Sequence, residues 1–138
     1  MVKTLTLRPL WIQLTLPALI AIRIVGCGSG GTPIDPSELA GTWGAENVVM
    51  TVTDVGAHLE LSCAHGDVAG ALTENPFSVG GTWVREVGPV IGDPRPALYT
   101  GSVVGDTMTL SIRLTDTNES VGSFTLIRGA VGRLVKCV

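Results

Sequence analysis

From Gly41 onward, apolar and polar residues alternate with a period of two. Met108, Leu110, Ile112 and Leu114 interleave with Thr107, Thr109, Ser111, Arg113 and Thr115. Ala57, Leu59, Leu61 and Cys63 interleave with His58, Glu60 and Ser62, and Val48, Met50 and Val52 with Val49, Thr51 and Thr53. Successive side chains of a strand point to opposite faces, so this pattern buries one face and wets the other, as antiparallel sheets do. Val68–Leu72, Phe77–Arg85, Ala97–Val104, Val121–Arg128 and Leu134–Cys137, rich in Val, Thr and aromatic residues, complete the predicted strands.

Turn-forming residues punctuate these runs at Asp54-Val55-Gly56, His65-Gly66-Asp67, Glu74-Asn75-Pro76, Gly105-Asp106 and Asp116-Thr117-Asn118-Glu119. No segment after Ala40 has a helical period. Before it, Pro36–Ala40 predicts a single helical turn, with Asp35 as cap and Pro36 at the first position. Short strands joined by tight turns pair with their sequence neighbours, and closing the sheet removes exposed edges. The expected fold is all-β: a small, closed or nearly closed, antiparallel up-and-down β-barrel of about eight strands. A β-sandwich is the alternative.

The N-terminus follows a different rule. Met1 to Leu10 carries Lys3 and Arg8 and no acid, and Trp11 to Ile22 is largely apolar but broken by Gln13 and Pro17 and followed by Arg23. That order is a secretory signal rather than a membrane span. The next four residues, Ile24-Val25-Gly26-Cys27, resemble the lipobox of bacterial lipoproteins. The resemblance implies cleavage after Gly26, acylation of Cys27 and a lipid-anchored place in the bacterial cell envelope. Gly28, where an Asp would hold the protein at the inner membrane, favours the outer membrane, facing the periplasm or the cell surface. An ordinary cleaved signal with an incidental cysteine is the other reading. Gly28-Ser29-Gly30-Gly31-Thr32-Pro33 reads as a flexible tether, and it lacks the Gly-Lys-Ser/Thr ending of a phosphate loop. The chain thus divides into a signal peptide over 1–26, a lipidated cysteine and tether over 27–40, and a barrel domain over 41–138.

Length and charge narrow the function. At 138 residues, 45% apolar, the chain holds one domain, too hydrophobic for disorder and too short for a dinucleotide-fold or (β/α) barrel enzyme of ordinary size. Loss of residues 1–26 removes three of the nine basic residues and none of the twelve acids, leaving a net charge near −6. Nucleic acid is therefore not an expected partner, and contact with a membrane is left to the acyl chains. With Cys27 acylated, Cys63 and Cys137 remain as an even pair in an exported chain, and a Cys63–Cys137 disulfide is expected, worth about 4 kcal/mol by loop closure.

Gly41-Thr42-Trp43 opens the first strand, and the triplet returns as Gly81-Thr82-Trp83. A Gly-x-Trp entering the first strand resembles the lipocalin-like, or calycin, barrels. The resemblance implies that Trp43 closes one end of the barrel against Arg128, with Gly41 at the entry, and that the protein binds a small apolar ligand. The domain is smaller than typical lipocalins, and the tightest eight-stranded barrels fill their interior with their own side chains, so the sequence leaves open whether a ligand cavity exists. Small envelope barrels of this kind also act as protease or lysozyme inhibitors, so an envelope protein is the alternative partner. The loop Glu86–Pro96, with Arg85, Val90, Ile91 and Arg95 as contacts, is the candidate binding loop.

Enzymatic readings are weaker. Cys63-Ala64-His65 with His58 lacks zinc-ligand spacing, and an oxidised thiol is no nucleophile. Asp54, Asp67, Asp93, Asp106, Asp116 and Glu119 fall mostly in predicted turns, where acids are ordinary. A non-enzymatic binding protein without metal or cofactor is the expectation.

Overall fold

A computed structural model describes residues 30–138; the predicted signal peptide and Cys27 lie outside these residues. The described elements are β1 (Thr32–Pro33), α1 (Pro36–Leu39), β2 (Gly41–Ala45), β3 (Val48–Val52), β4 (Gly56–Leu61), β5 (Ala64–Ala69), β6 (Glu74–Asn75), β7 (Phe77–Val87), β8 (Val90–Ile91), β9 (Arg95–Val104), β10 (Thr107–Leu114) and β11 (Ser120–Arg128). Eight of them, in the order β2-β3-β4-β5-β7-β9-β10-β11, form a closed antiparallel barrel in which every neighbour follows in sequence. β8 adds a short hairpin to the end of β7. This is the up-and-down barrel expected from the period of two, and the sandwich alternative is set aside.

Closure is uneven round the wall. β10 pairs along its whole length with β9, and with β11 from Thr107 to Arg113. β11 meets β2 through two residue pairs alone, Ile127 with Gly44 and Arg128 with Trp43. That seam is the shortest in the barrel. Inward residues form one apolar core, whose fully buried members include Trp43, Met50, Leu59, Tyr99, Met108 and Leu126.

Local chemistry explains the ends. Asp35 caps α1, its Oδ1 accepting from the Ser37 N–H at 2.9 Å, with Pro36 in the first turn as expected. Residues 32–39, assigned from sequence to the tether, are held against the barrel: β1 pairs with β6, and Leu39 is buried. An apolar side chain and a strand pairing outweigh the flexibility of the glycines just before them.

Glu74-Asn75, read with Pro76 as a turn, form the short strand β6, because they pair with β1, and two further expectations are corrected. His65-Gly66-Asp67, read as a turn, lies inside β5, and the reversal falls at Ser62-Cys63. Gly66 is needed in the strand because a Cβ there would sit 2.0 Å from the Tyr99 hydroxyl. Leu134–Cys137, read as a strand, instead ends a non-strand strap running from Gly129 outside the ladder. The Gly129 N–H donates to the Thr42 carbonyl, the Asn47 N–H to that of Arg133, and the Cys137 N–H to that of Ser62. The strap ends at the Cys63–Cys137 disulfide.

Candidate functional site: the barrel mouth

The two Gly-Thr-Trp triplets mark opposite ends of the barrel. Trp43 is wholly buried at the closed end, where its indole N–H donates to the Leu39 carbonyl at 2.9 Å and the Arg128 guanidinium lies 4.1 Å over its ring. Arg128 also donates to the carbonyls of Glu38 and Ala40, so one side chain ties α1 to the last strand. Of the three residues named from sequence, Trp43 and Arg128 meet, while Gly41 opens the strand that carries Trp43.

Trp83 is at the other end, where the structure is hollow. The β2–β3 turn, the β4–β5 turn, the β7–β9 connection and the β10–β11 turn surround a cavity of about 820 Å³. Leu61, Trp83, Leu114, Val121 and Phe124 form its apolar lining. Such a volume lies within the range of small-molecule sites. The question the sequence left open is thus answered in two parts: side chains fill the closed half, and the mouth holds a cavity. Tyr99, deeper in the barrel, helps mark the boundary: it fills space left by Gly66 and Gly81 and donates its hydroxyl hydrogen to the Thr82 carbonyl. Burial pushes its phenol well above the ordinary range, so it stays protonated.

The four residues of the candidate loop separate into two pairs. Arg85 and Arg95 line the cavity, whereas Val90 and Ile91 are exposed on the β7–β8 hairpin outside it. Arg95 is occupied: its Nε and Nη2 donate to the two Asp116 oxygens at 3.0 and 2.9 Å, and Nη2 also donates to Thr117. This pairing holds the Asp116 carboxyl below its usual value and fastens the long hairpin to the β10–β11 turn. Arg85 has no side-chain hydrogen bond or ion pair among the described residues.

The histidines lie elsewhere. His58 and His65 are neighbours on the outer wall, His58 between Asp67 and Glu60 and His65 against Glu86. Asp67 first, then Glu60, raises the His58 pKa. Lys136 of the strap bridges Glu60 and Glu86 at 2.6 and 3.1 Å. Through Lys136 the cluster clasps the strap to the outer wall. Among the described residues no group of three or more His, Cys, Asp or Glu side chains is arranged to hold a metal.

Sequence reasoning missed Trp83, Phe124, Leu61, Leu114 and Val121 as site residues; the repeated triplet at 81–83 was the one available signal. Searches against family models, curated proteins and solved structures find nothing that matches this chain.

Proposed function

We propose that the protein is a lipid-anchored bacterial envelope protein whose lipocalin-like barrel binds a small apolar body at its mouth without catalysis. The cavity carries this reading: a closed barrel packed at one end has an 820 Å³ space with aromatic and aliphatic walls at the other. Apolar surface facing water there gains by being covered, on the order of 25 cal/mol per Å².

A neutral polarity-sensitive naphthalene dye tests it. Added to the purified protein, the dye is expected to brighten and shift to the blue. Phe124→Asp, which sets a charge on the cavity wall, should weaken binding about tenfold while the far-ultraviolet circular dichroism stays unchanged. A dye that remains in water, or that binds the variant equally well, counts against the cavity as the site.

The anchor rests on Ile24-Val25-Gly26-Cys27. Intact mass of protein taken from native membranes is expected to show a chain beginning at Cys27 with a diacyl or triacyl increment; an unmodified mass removes the anchor. The second reading, a protein-binding or inhibitory loop over Glu86–Pro96, is favoured by one observation: Val87, Val90 and Ile91 stand 54%, 65% and 71% exposed on that hairpin.

A further inference from the structure

The short seam between β2 and β11 leaves part of a strand unpaired. β2 turns away after Ala45, and continuing its register would set Glu46 beside Thr125. From Ser120 to Thr125, β11 has β10 on one side and no strand on the other.

The direction of the free groups follows from neighbouring hydrogen bonds. The Arg128 N–H points to the β10 side, donating to Asp106, and the Gly129 N–H points to the β2 side, donating to Thr42. Successive residues of a strand alternate sides. The N–H and C=O of Ser123 and Thr125 therefore face the open side, while Phe124, between them, lines the cavity.

Exposed edges are ordinarily defended by proline, lysine or a covering segment. The run Ser120-Val121-Gly122-Ser123-Phe124-Thr125-Leu126 has no proline and no charge. The strap does not cover it, because the strap's backbone hydrogen bonds go to Thr42, Asn47 and Ser62. A bare backbone edge is satisfied by another strand. Charge selects which one. Glu119, 3.9 Å from the Arg95 guanidinium and 66% exposed, stands at one end of the edge, and Glu46, without an ion pair among the described residues, at the other. A second copy, itself net acidic, would bring like charges to both ends.

We propose that the open edge of β11 between Ser120 and Thr125 docks an extended segment of a partner protein, basic at its ends, which extends the barrel wall and places one apolar side chain in the mouth cavity. The backbone edge and flanking acids are independent of the dye-binding reading, and the side-chain pocket rests on it.

The probe is a capped synthetic peptide of alternating valine and threonine with lysine at both ends, titrated into the purified full-length protein. It is expected to bind and to displace the dye. N-methylation of alternate peptide nitrogens in the register that faces β11 should weaken binding about tenfold or more, and methylation in the opposite register should not. Thr125→Pro removes an edge donor without touching the β10 ladder and should weaken the peptide about tenfold while leaving dye affinity unchanged. If that variant does not fold, the methylated peptides alone decide. Glu46→Lys with Glu119→Lys should also weaken the peptide. Equal binding of both methylated peptides, or dye uptake with no peptide binding, overturns the edge proposal and leaves the cavity reading standing. Peptide binding with no dye uptake supports the edge and removes the cavity reading. Concentration-dependent dimerisation that Thr125→Pro abolishes would assign the edge to a second copy instead.

Discussion

Replacing Cys137 with alanine is expected to destabilise the domain by about 4 kcal/mol. The bond joins residues 74 apart in sequence, so without it the unfolded chain recovers most of its loop entropy. Little else would hold the strap. Lys136 is about half exposed between Glu60 and Glu86, and ion pairs of that kind contribute on the order of 0–1 kcal/mol. The strap's backbone hydrogen bonds to Asn47 and Ser62 are isolated rather than part of a ladder. For a domain whose total stability is on the order of 5–15 kcal/mol, the loss would be visible as a lower urea midpoint. Cys63→Ala should cost the same, and the double variant little more than either, because both remove one bond. Costs that add in full would show that the cysteines act separately. Cys63 lines the mouth, so the single variants should also weaken dye binding there.

The barrel was legible because its closed half obeys one rule. Met108, Leu110 and Ile112, or Val48, Met50 and Val52, alternate into a core where every inward residue is covered, and the period of two therefore reports burial faithfully. Gly66 was misread for a physical reason. A glycine between His65 and Asp67 has the composition of a turn, and its role as space for the Tyr99 hydroxyl depends on a strand far along the chain. Leu134–Cys137 has strand-like composition, but it crosses the outer wall under a disulfide and has no strand to pair with.

The mouth was less legible than the core. Leu61, Leu114 and Phe124 are the same residue types, in the same alternation, as the residues packed below them. Whether a position faces a neighbour or a void depends on how high each hairpin stands, and β2 turns back well short of β11. The two arginines show the same limit. Arg95 meets Asp116 and Arg85 meets no such partner among the described residues, a difference set by the placement of the β10–β11 turn. At the other end Arg128 lies over the Trp43 ring, a contact between the first and last barrel strands.

Trp43→Ala is expected to cost about 3–5 kcal/mol, the range for truncating a wholly buried large aromatic side chain. The indole belongs to one of the two residue pairs that close the barrel, so its loss opens a core cavity and loosens the shortest seam together. It also leaves the Leu39 carbonyl without its donor and Arg128 without the ring beneath it. Trp43→Phe separates these contributions. Phenylalanine keeps most of the buried apolar surface and a ring under the guanidinium but cannot donate to Leu39, so a cost of about 1–2 kcal/mol is expected. Arg128→Met should be mild in the Trp43→Ala background and larger in the native one, by about 1 kcal/mol, if the guanidinium works through the indole. Urea unfolding followed by circular dichroism measures all four corners of that cycle. Additive effects would mean that Arg128 acts through the carbonyls of Glu38 and Ala40 and its ion pair with Asp106 rather than through the indole.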